Sequence, residues 1–315
     1  MMKNVTFLMA VVILIGLIAA LGFAYLFAFK TTEINPSICA NYGSLIAGTV
    51  GILFSLLGVI LIYLNLRAQN KAFLKQQIEN RFFELVAITR ENSSNIRKRA
   101  KRGDGTPCVK RIVALLGEFY DCLAILQKIG IKHGLKEDEA INLAYLCFFN
   151  GAIGERSETM LRHRLQDRYA PSVLDDLFTT FKDEARNYKY GYRPFNGHQL
   201  IFGHYYRHLF QTVTYIDNQP ERLLTPDEKY QYVKTLRAQL STQEQVLLFF
   251  NSVSDLGLRW ERDPSIRDEN KRLITKYNLI RNIPYGFIKD IDFRKYYPNV
   301  RYEDNPAHPQ RGKAP

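Results

Sequence analysis

The sequence predicts an all-α protein: an amino-terminal transmembrane helical hairpin, a helical stalk and a cytoplasmic multi-helix domain. Three observations carry this. Residues 5–29 and 43–64 contain no charged side chain, residues 63–96 contain neither Gly nor Pro, and from Val109 onward no alternating β-branched run is long enough for a strand. The chain has 315 residues, a net charge of +12 and 46% hydrophobic residues. That apolar mass excludes disorder throughout, and its concentration in two runs excludes a wholly soluble protein. The expected organisation is a hairpin over 1–66, a basic amphipathic stalk over 67–102, a helical domain over 103–297 and a disordered tail over 298–315.

At about 1.5 Å per residue, the run at 5–29 reaches roughly 37 Å, enough to cross a hydrocarbon core about 30 Å thick. A cleavable signal peptide has a shorter apolar stretch, and here a second run follows. Lys3 precedes the first run and Arg67, Lys71, Lys75 and Arg81 follow the second, whereas the connection between them holds Lys30 and Glu33. The positive-inside rule then predicts a two-span inner-membrane protein with both termini cytoplasmic. Small residues recur at four-residue spacing, at Gly16, Ala20 and Ala24 and at Ala47, Gly51 and Ser55, and so allow close helix packing within the hairpin or between copies in a homo-oligomer. No ionisable residue lies in either span, so an ion-selective path has no obvious chemistry to use.

Most of the excess charge lies in residues 67–111, which hold twelve cations and four acids. The apolar positions Phe73, Leu74, Ile78, Phe82, Leu85 and Val86 recur at helical spacing, which extends the second span into a stalk. The stalk ends at a cationic cluster, Arg97, Lys98, Arg99, Lys101 and Arg102, before Gly103-Asp104-Gly105. Such a cluster enforces topology and suits anionic lipid head groups or nucleic-acid phosphates. No aromatic side chain is interleaved with it, which weakens a stacking platform for single strands.

The remaining chain reads as helices at 107–130, 137–152, 156–168, 172–188, 198–217, 226–239, 242–256 and 267–280. Thr225-Pro226-Asp227-Glu228 places a cap, a first-turn proline and acids at one helix start, and Ser241 with Glu244 forms a capping box at the next. The tail carries Pro298, Pro306, Pro309 and Pro315 and shows no apolar face.

Chemical signatures are sparse. The four cysteines have no metal spacing, and neither a phosphate loop nor a Gly-x-Ser-x-Gly elbow occurs. No metal site and no cofactor is assigned. The densest polar and aromatic stretch is Gly203-His204-Tyr205-Tyr206-Arg207-His208-Leu209-Phe210, followed by Tyr215-Ile216-Asp217. His204 and His208 share a helix face, with Asp217 the obvious third ligand for a metal. Arg207 beside His208 suits phosphodiester cleavage, and Arg193 to His198 and Arg156 to His163 superficially match the Arg-x(4–6)-His pattern of HEPN ribonucleases. A structural network of histidine, arginine and aspartate between packed helices is the commoner outcome. Arg237, Gln239 and Glu244 are read as pins for the turn between two buried helices.

Gly203-His204-Tyr205-Tyr206-Arg207, Tyr215-Ile216-Asp217, Leu236-Arg237-Ala238-Gln239-Leu240-Ser241 with Glu244, Leu248-Phe249-Phe250-Asn251 and Leu279-Ile280-Arg281-Asn282 resemble, in order and spacing, the phage abortive infection (AbiC-like) family. The resemblance is concentrated in residues 203–282. It nominates Gly203, His204, Arg207, Asp217, Arg237, Gln239, Glu244 and Asn251 as motif positions without assigning them chemical roles. The architecture also resembles two-span membrane effectors of retron anti-phage systems, in which a reverse transcriptase and its RNA-linked DNA hold the effector inactive. The resemblances together imply a non-enzymatic toxin that acts on membrane lipids once infection is sensed. A membrane-anchored nuclease and a non-toxic scaffold that recruits a nucleoprotein through Arg97 to Arg102 are the alternatives.

Overall fold

The computed structural model describes residues 11, 13–22, 25, 36–97, 111–187 and 194–304. It is all-helical, with no strand among the described residues. The chain divides into two compact units, Met1–Gln77 and Ile78–Pro315. This boundary falls inside the segment read as a stalk over 67–102, and Ile78 is the first residue of the larger core cluster.

The first unit holds helix α1 (Ile13–Gly22) and the beginning of α2 (Pro36–Arg97), which is 62 residues long. Among the described residues one stretch, Gly51–Ile96, is long and apolar enough to cross a membrane, where the sequence predicts two spans. The first predicted span lies largely outside the described residues. Ile52, Leu56, Val59 and Ile62 are each more than half exposed. Exposed large apolar side chains in that density suit lipid rather than water. Gly16, Ala20, Ala47, Gly51 and Ser55 lie on these two helices, whereas Ala24 lies outside the described residues.

The second unit contains the end of α2 and eight further helices, α3 (Arg111–His133), α4 (Glu137–Asn150), α5 (Glu155–Leu165), α6 (Pro171–Asn187), α7 (Gln199–Asp217), α8 (Pro226–Arg237), α9 (Thr242–Val253) and α10 (Leu273–Tyr277). Their starts and stops lie close to those read from sequence, except at the carboxyl end. There the single helix expected over 267–280 is a 3₁₀ turn at Glu269–Lys271 followed by the five-residue α10. Asn278 ends α10 in the left-handed conformation, at φ 50° and ψ 47°, which a continuing helix cannot accommodate.

The core is aromatic. Phe119 of α3 lies 5.6 Å from Phe148 of α4 and 4.2 Å from Phe250 of α9, measured between ring centroids, so these three helices meet at one point. Phe82 of α2 is fully buried and sits edge-on to Tyr232 of α8 at 5.2 Å. Leu85 and Ile96 extend the same buried stripe. The tail also departs from expectation. Val300 and Tyr302 are buried in the core, so residues 298–304 belong to the folded unit. The remainder, 305–315, lies outside the described residues.

Two loops cross back to back where α4 ends and α7 begins. Gly151 and Gly197 have φ of 94° and 88°, and a Cβ on Gly197 would stand 2.5 Å from the carbonyl carbon of Asn150. Only residues without a side chain permit this approach. It is tied by His198 N–H donating to Phe149 O (2.9 Å) and Ala152 N–H donating to Phe195 O (2.8 Å). Beneath it Glu118 of α3, 1% exposed, accepts from Phe195 N–H at 2.8 Å and meets His198 Nε2 at 2.9 Å. Burial, reinforced by Glu118 and Glu184, pushes the nearby Asp121 carboxyl up to about 6.

Two predictions follow from this crossing. Gly197→Ala destabilises the second unit by about 2–4 kcal/mol, combining left-handed strain with a backbone clash. Gly203→Ala, whose added carbon meets nothing nearer than 3.9 Å, leaves stability unchanged or slightly raised. Thermal melts of the detergent-solubilised chain compare the two, and equal melting temperatures would refute the crossing as described. Asp121 binds its proton more tightly folded than unfolded, so the stability it supports is full below its ordinary pKa near 3.8 and is lost as pH rises through about 6. Asp121→Asn therefore melts higher than the parent at about pH 7.5, with the gap closing near pH 4.

Candidate functional site

Helix α7 begins at the glycine crossing and presents Gly203, His204 and Arg207 to a cleft of about 610 Å³. The opposite wall comes from the end of α9 and the 3₁₀ turn Leu258–Trp260. Asn251, 3% exposed, sets that wall: its Oδ1 accepts from Trp260 Nε1–H at 3.1 Å. Gly257 lies so close that a Cβ there would approach Asn251 O to 2.2 Å. The chain therefore turns back tightly on Asn251 and carries Arg259 and Trp260 to the cleft. Phe210 of α7 completes the contact, edge-on to Trp260 at 5.0 Å.

Four of the eight motif positions nominated from sequence, Gly203, His204, Arg207 and Asn251, thus share one cleft. His208 is not among its lining residues. It is half-buried, and its Nδ1 has no hydrogen-bond partner among the described residues. Of the His204, Arg207 and His208 cluster read from sequence, His204 and Arg207 line the cleft and His208 does not.

Asp217 is engaged elsewhere. Its Oδ1 accepts from Lys276 Nζ (2.5 Å) and Tyr277 Oη (2.6 Å), and its backbone carbonyl accepts from Lys229 Nζ (2.8 Å). These contacts fasten the end of α7 to α8 and α10 and leave Asp217 occupied rather than aimed at the histidines. Among the described residues no three of His, Cys, Asp and Glu gather as a metal site. Arg237 is buried and donates from Nη1 to the carbonyls of Tyr277 and Asn278, both at 3.1 Å. It thereby satisfies the end of α10, where the left-handed Asn278 exposes carbonyls. Gln239 lies exposed on the turn between α8 and α9.

Glu244 does two things at once. Its Oε2 accepts from Ser241 N–H and Ser241 Oγ, both at 2.7 Å, completing the capping box anticipated from sequence. Its Oε1 accepts from Ser93 Oγ of α2. Thr89 Oγ1 meets Thr212 Oγ1 of α7 at 3.3 Å, and Tyr232 Oη of α8 donates to Glu79 Oε1 at 2.5 Å, which with burial raises the tyrosine's pKa. The end of α2 is thus hydrogen-bonded to α7, α8 and α9. Sequence reasoning missed Ser93 and Thr89, which read as ordinary polar residues on a helix. It also missed Gly257, Arg259 and Trp260, although the single tryptophan of the chain was a visible signal. Arg97, Lys98, Arg99, Lys101 and Arg102 carry no described side chain, so the cationic cluster lies outside the described residues.

Residues 197–288 match the family model described as putative phage abortive infection protein. The match spans less than a third of the chain but contains every lining residue of the cleft except Phe149. Over that segment the chain is similar to the AbiC-like abortive-infection family. No curated protein and no solved structure matches it. The match supports a role in phage defence, and the matched segment supplies Thr212, Tyr232 and Glu244, which bond to α2, and most of the cleft lining.

Ser93→Ala removes one neutral partner and costs about 1 kcal/mol. Glu244→Ala removes the reciprocal half of the capping box and the acceptor of Ser93, at about 2–3 kcal/mol, while Ser241 Oγ still accepts from the backbone N–H at 244. Because Ser93 has already lost its acceptor in the second variant, the double variant is no less stable than Glu244→Ala alone. Denaturant melts of the full chain measure the cycle, and additive losses would show that the two side chains do not interact.

Proposed function

We propose that this protein is an inner-membrane effector of phage defence that compromises the bilayer when infection is sensed. The observation that carries the reading is α2. One helix holds both the exposed apolar stretch around Ile52 to Ile62 and the residues Glu79, Phe82, Thr89 and Ser93 that engage the AbiC-like unit. A change in how that unit grips α2 is therefore a change at the end of the helix that seeks lipid. The proposal includes two spans with both termini cytoplasmic, supported by the apolar run at 5–29 and by the cations that follow the second run. It also includes homo-oligomerisation through the small-residue faces at Gly16 and Ala20 and at Ala47, Gly51 and Ser55.

In the resting state the effector is held silent by a cytoplasmic nucleoprotein partner, a reverse transcriptase with its RNA-linked DNA in the retron version of the proposal. The cationic cluster from Arg97 to Arg102 is the segment whose charge suits either that partner or anionic lipid. The damage is physical rather than catalytic. Burial raises the thiol pKa of Cys122 and Cys147, so neither serves as a nucleophile at neutral pH.

Induced expression in cells depolarises the membrane or admits a membrane-impermeant dye before growth stops, while total RNA and DNA remain intact. Growth arrest with normal polarisation, or with degraded nucleic acid, would overturn the proposal and favour the anchored nuclease.

A further inference from the structure

We propose that the cleft beside α7 binds a nucleoside phosphate. The inference concerns only the second unit and stands apart from the membrane reading. The volume, about 610 Å³, falls within the roughly 300–1,000 Å³ of small-molecule sites. What identifies the ligand is the pairing of two chemistries in the lining.

The first is positive charge with no acidic side chain in the lining. Arg207 and Arg259 are both exposed at the cleft, His204 stands beside them, and no Asp or Glu lines it. Neither arginine makes an ion pair among the described residues, whereas Arg162, Arg168 and Arg294 of the same unit all do. Arg259 also feels the Asp263 carboxylate, which lies outside the lining. Two exposed guanidinium groups in one lining suit a phosphate, whose oxygens accept paired N–H donors in the planar fork that arginine offers.

The second is aromatic surface that is only partly covered. Phe149 and Phe210 are half-buried in the lining, backed by the buried Phe202 and Tyr206 rings, which stack at 5.6 Å and 22°. Arg259 Cζ lies 5.9 Å from the Phe210 ring centroid, so cation and ring occupy one corner of the site. A planar base stacks on such a surface, gaining roughly 1–3 kcal/mol. An inorganic anion leaves these rings in water, and an apolar ligand leaves both guanidinium groups unused. A ligand with a phosphate at one end and a heteroaromatic ring at the other uses both.

The glycine at 203 fits this assignment. A side chain there would project toward Phe149, whose ring lies 3.9 Å from the nearest position a Cβ takes. Its absence keeps the α7 wall open between Arg207 and the aromatic corner.

Trp260 is the only tryptophan of the chain and lies in the cleft wall, so its emission reports on occupancy. Titrating the full-length chain in detergent with ATP, GTP, CTP or UTP changes that emission saturably for at least one of them, and calorimetry returns the same Kd. Arg207→Ala and Arg259→Ala each weaken that Kd by about tenfold or more. Arg207→Lys recovers only part of the loss, and Arg164→Ala on α5 changes nothing. Thermal melts of the variants confirm folding. The inference fails if none of the four nucleotides binds. It also fails if tripolyphosphate binds as tightly as the nucleotides, which would make this a plain anion site. Binding of a 5′-phosphorylated single strand without binding of any mononucleotide overturns it as well.

Discussion

A single buried carboxylate organises this fold. Glu244 is 1% exposed, and a carboxyl group so placed is tolerable only when its oxygens have hydrogen-bond partners. Ser241 supplies two from the start of its own helix and Ser93 supplies another from α2. Local helix initiation and long-range docking therefore share one acceptor. The carboxylate at the start of α9 is satisfied in part by a residue of α2 that lies 151 positions earlier, and α2 is held by a capping group that α9 needs in any case. This is why the compact unit begins at Ile78 and not beyond the basic cluster. The apolar residues Phe82, Leu85 and Ile96 deepen the attachment, while the polar contacts fix its register.

The motif positions separate by role once this frame is in place. Asp217, Arg237 and Glu244 are buried or nearly so and spend their capacity on backbone carbonyls, capping groups and neighbouring side chains. They hold α7, α8, α9 and α10 together. Gly203, His204, Arg207 and Asn251 lie on what those ties leave open, a cleft with its own charge and aromatic character. The positions nominated from sequence thus include two kinds of residue, and the kinds are distinguished by where the hydrogen bonds go rather than by residue type.

Legibility in the sequence followed locality. The helix starts at Thr225 and Ser241 were readable because a capping box is completed within four residues. The stripe Ile78, Phe82, Leu85 marked an amphipathic stalk helix, but periodicity names a buried face without naming what covers it, so its partners on α7, α8 and α9 were not legible. The carboxyl-terminal region was misread in two ways for one reason. Irregular backbone has no period. Residues 254–304 are held by side-chain contacts such as Tyr297 Oη donating to Ser252 Oγ at 2.7 Å, and by isolated buried residues such as Val300 and Tyr302. The cleft was half legible. Its α7 wall is contiguous in sequence, whereas Arg259 and Trp260 reach it only through the tight turn on Asn251.

The energetics of the docked segment bound how any signal can act on it. Three neutral or charge-assisted hydrogen bonds at about 1 kcal/mol each, with Phe82, Leu85 and Ile96 at roughly 1.5–3 kcal/mol apiece, hold the end of α2 in place. Moving a two-state equilibrium from 1:99 to 99:1 takes about 5.5 kcal/mol of differential binding, and the contacts that hold α2 amount to more than that, so a signal must act on several of them together. Thr212 of α7 contacts α2 directly, and α7 also forms one wall of the cleft. Occupancy of the cleft and release of α2 are therefore two demands on one helix. A cleft ligand that biases α7 by only part of the required energy would tune the response to a partner rather than trigger it alone.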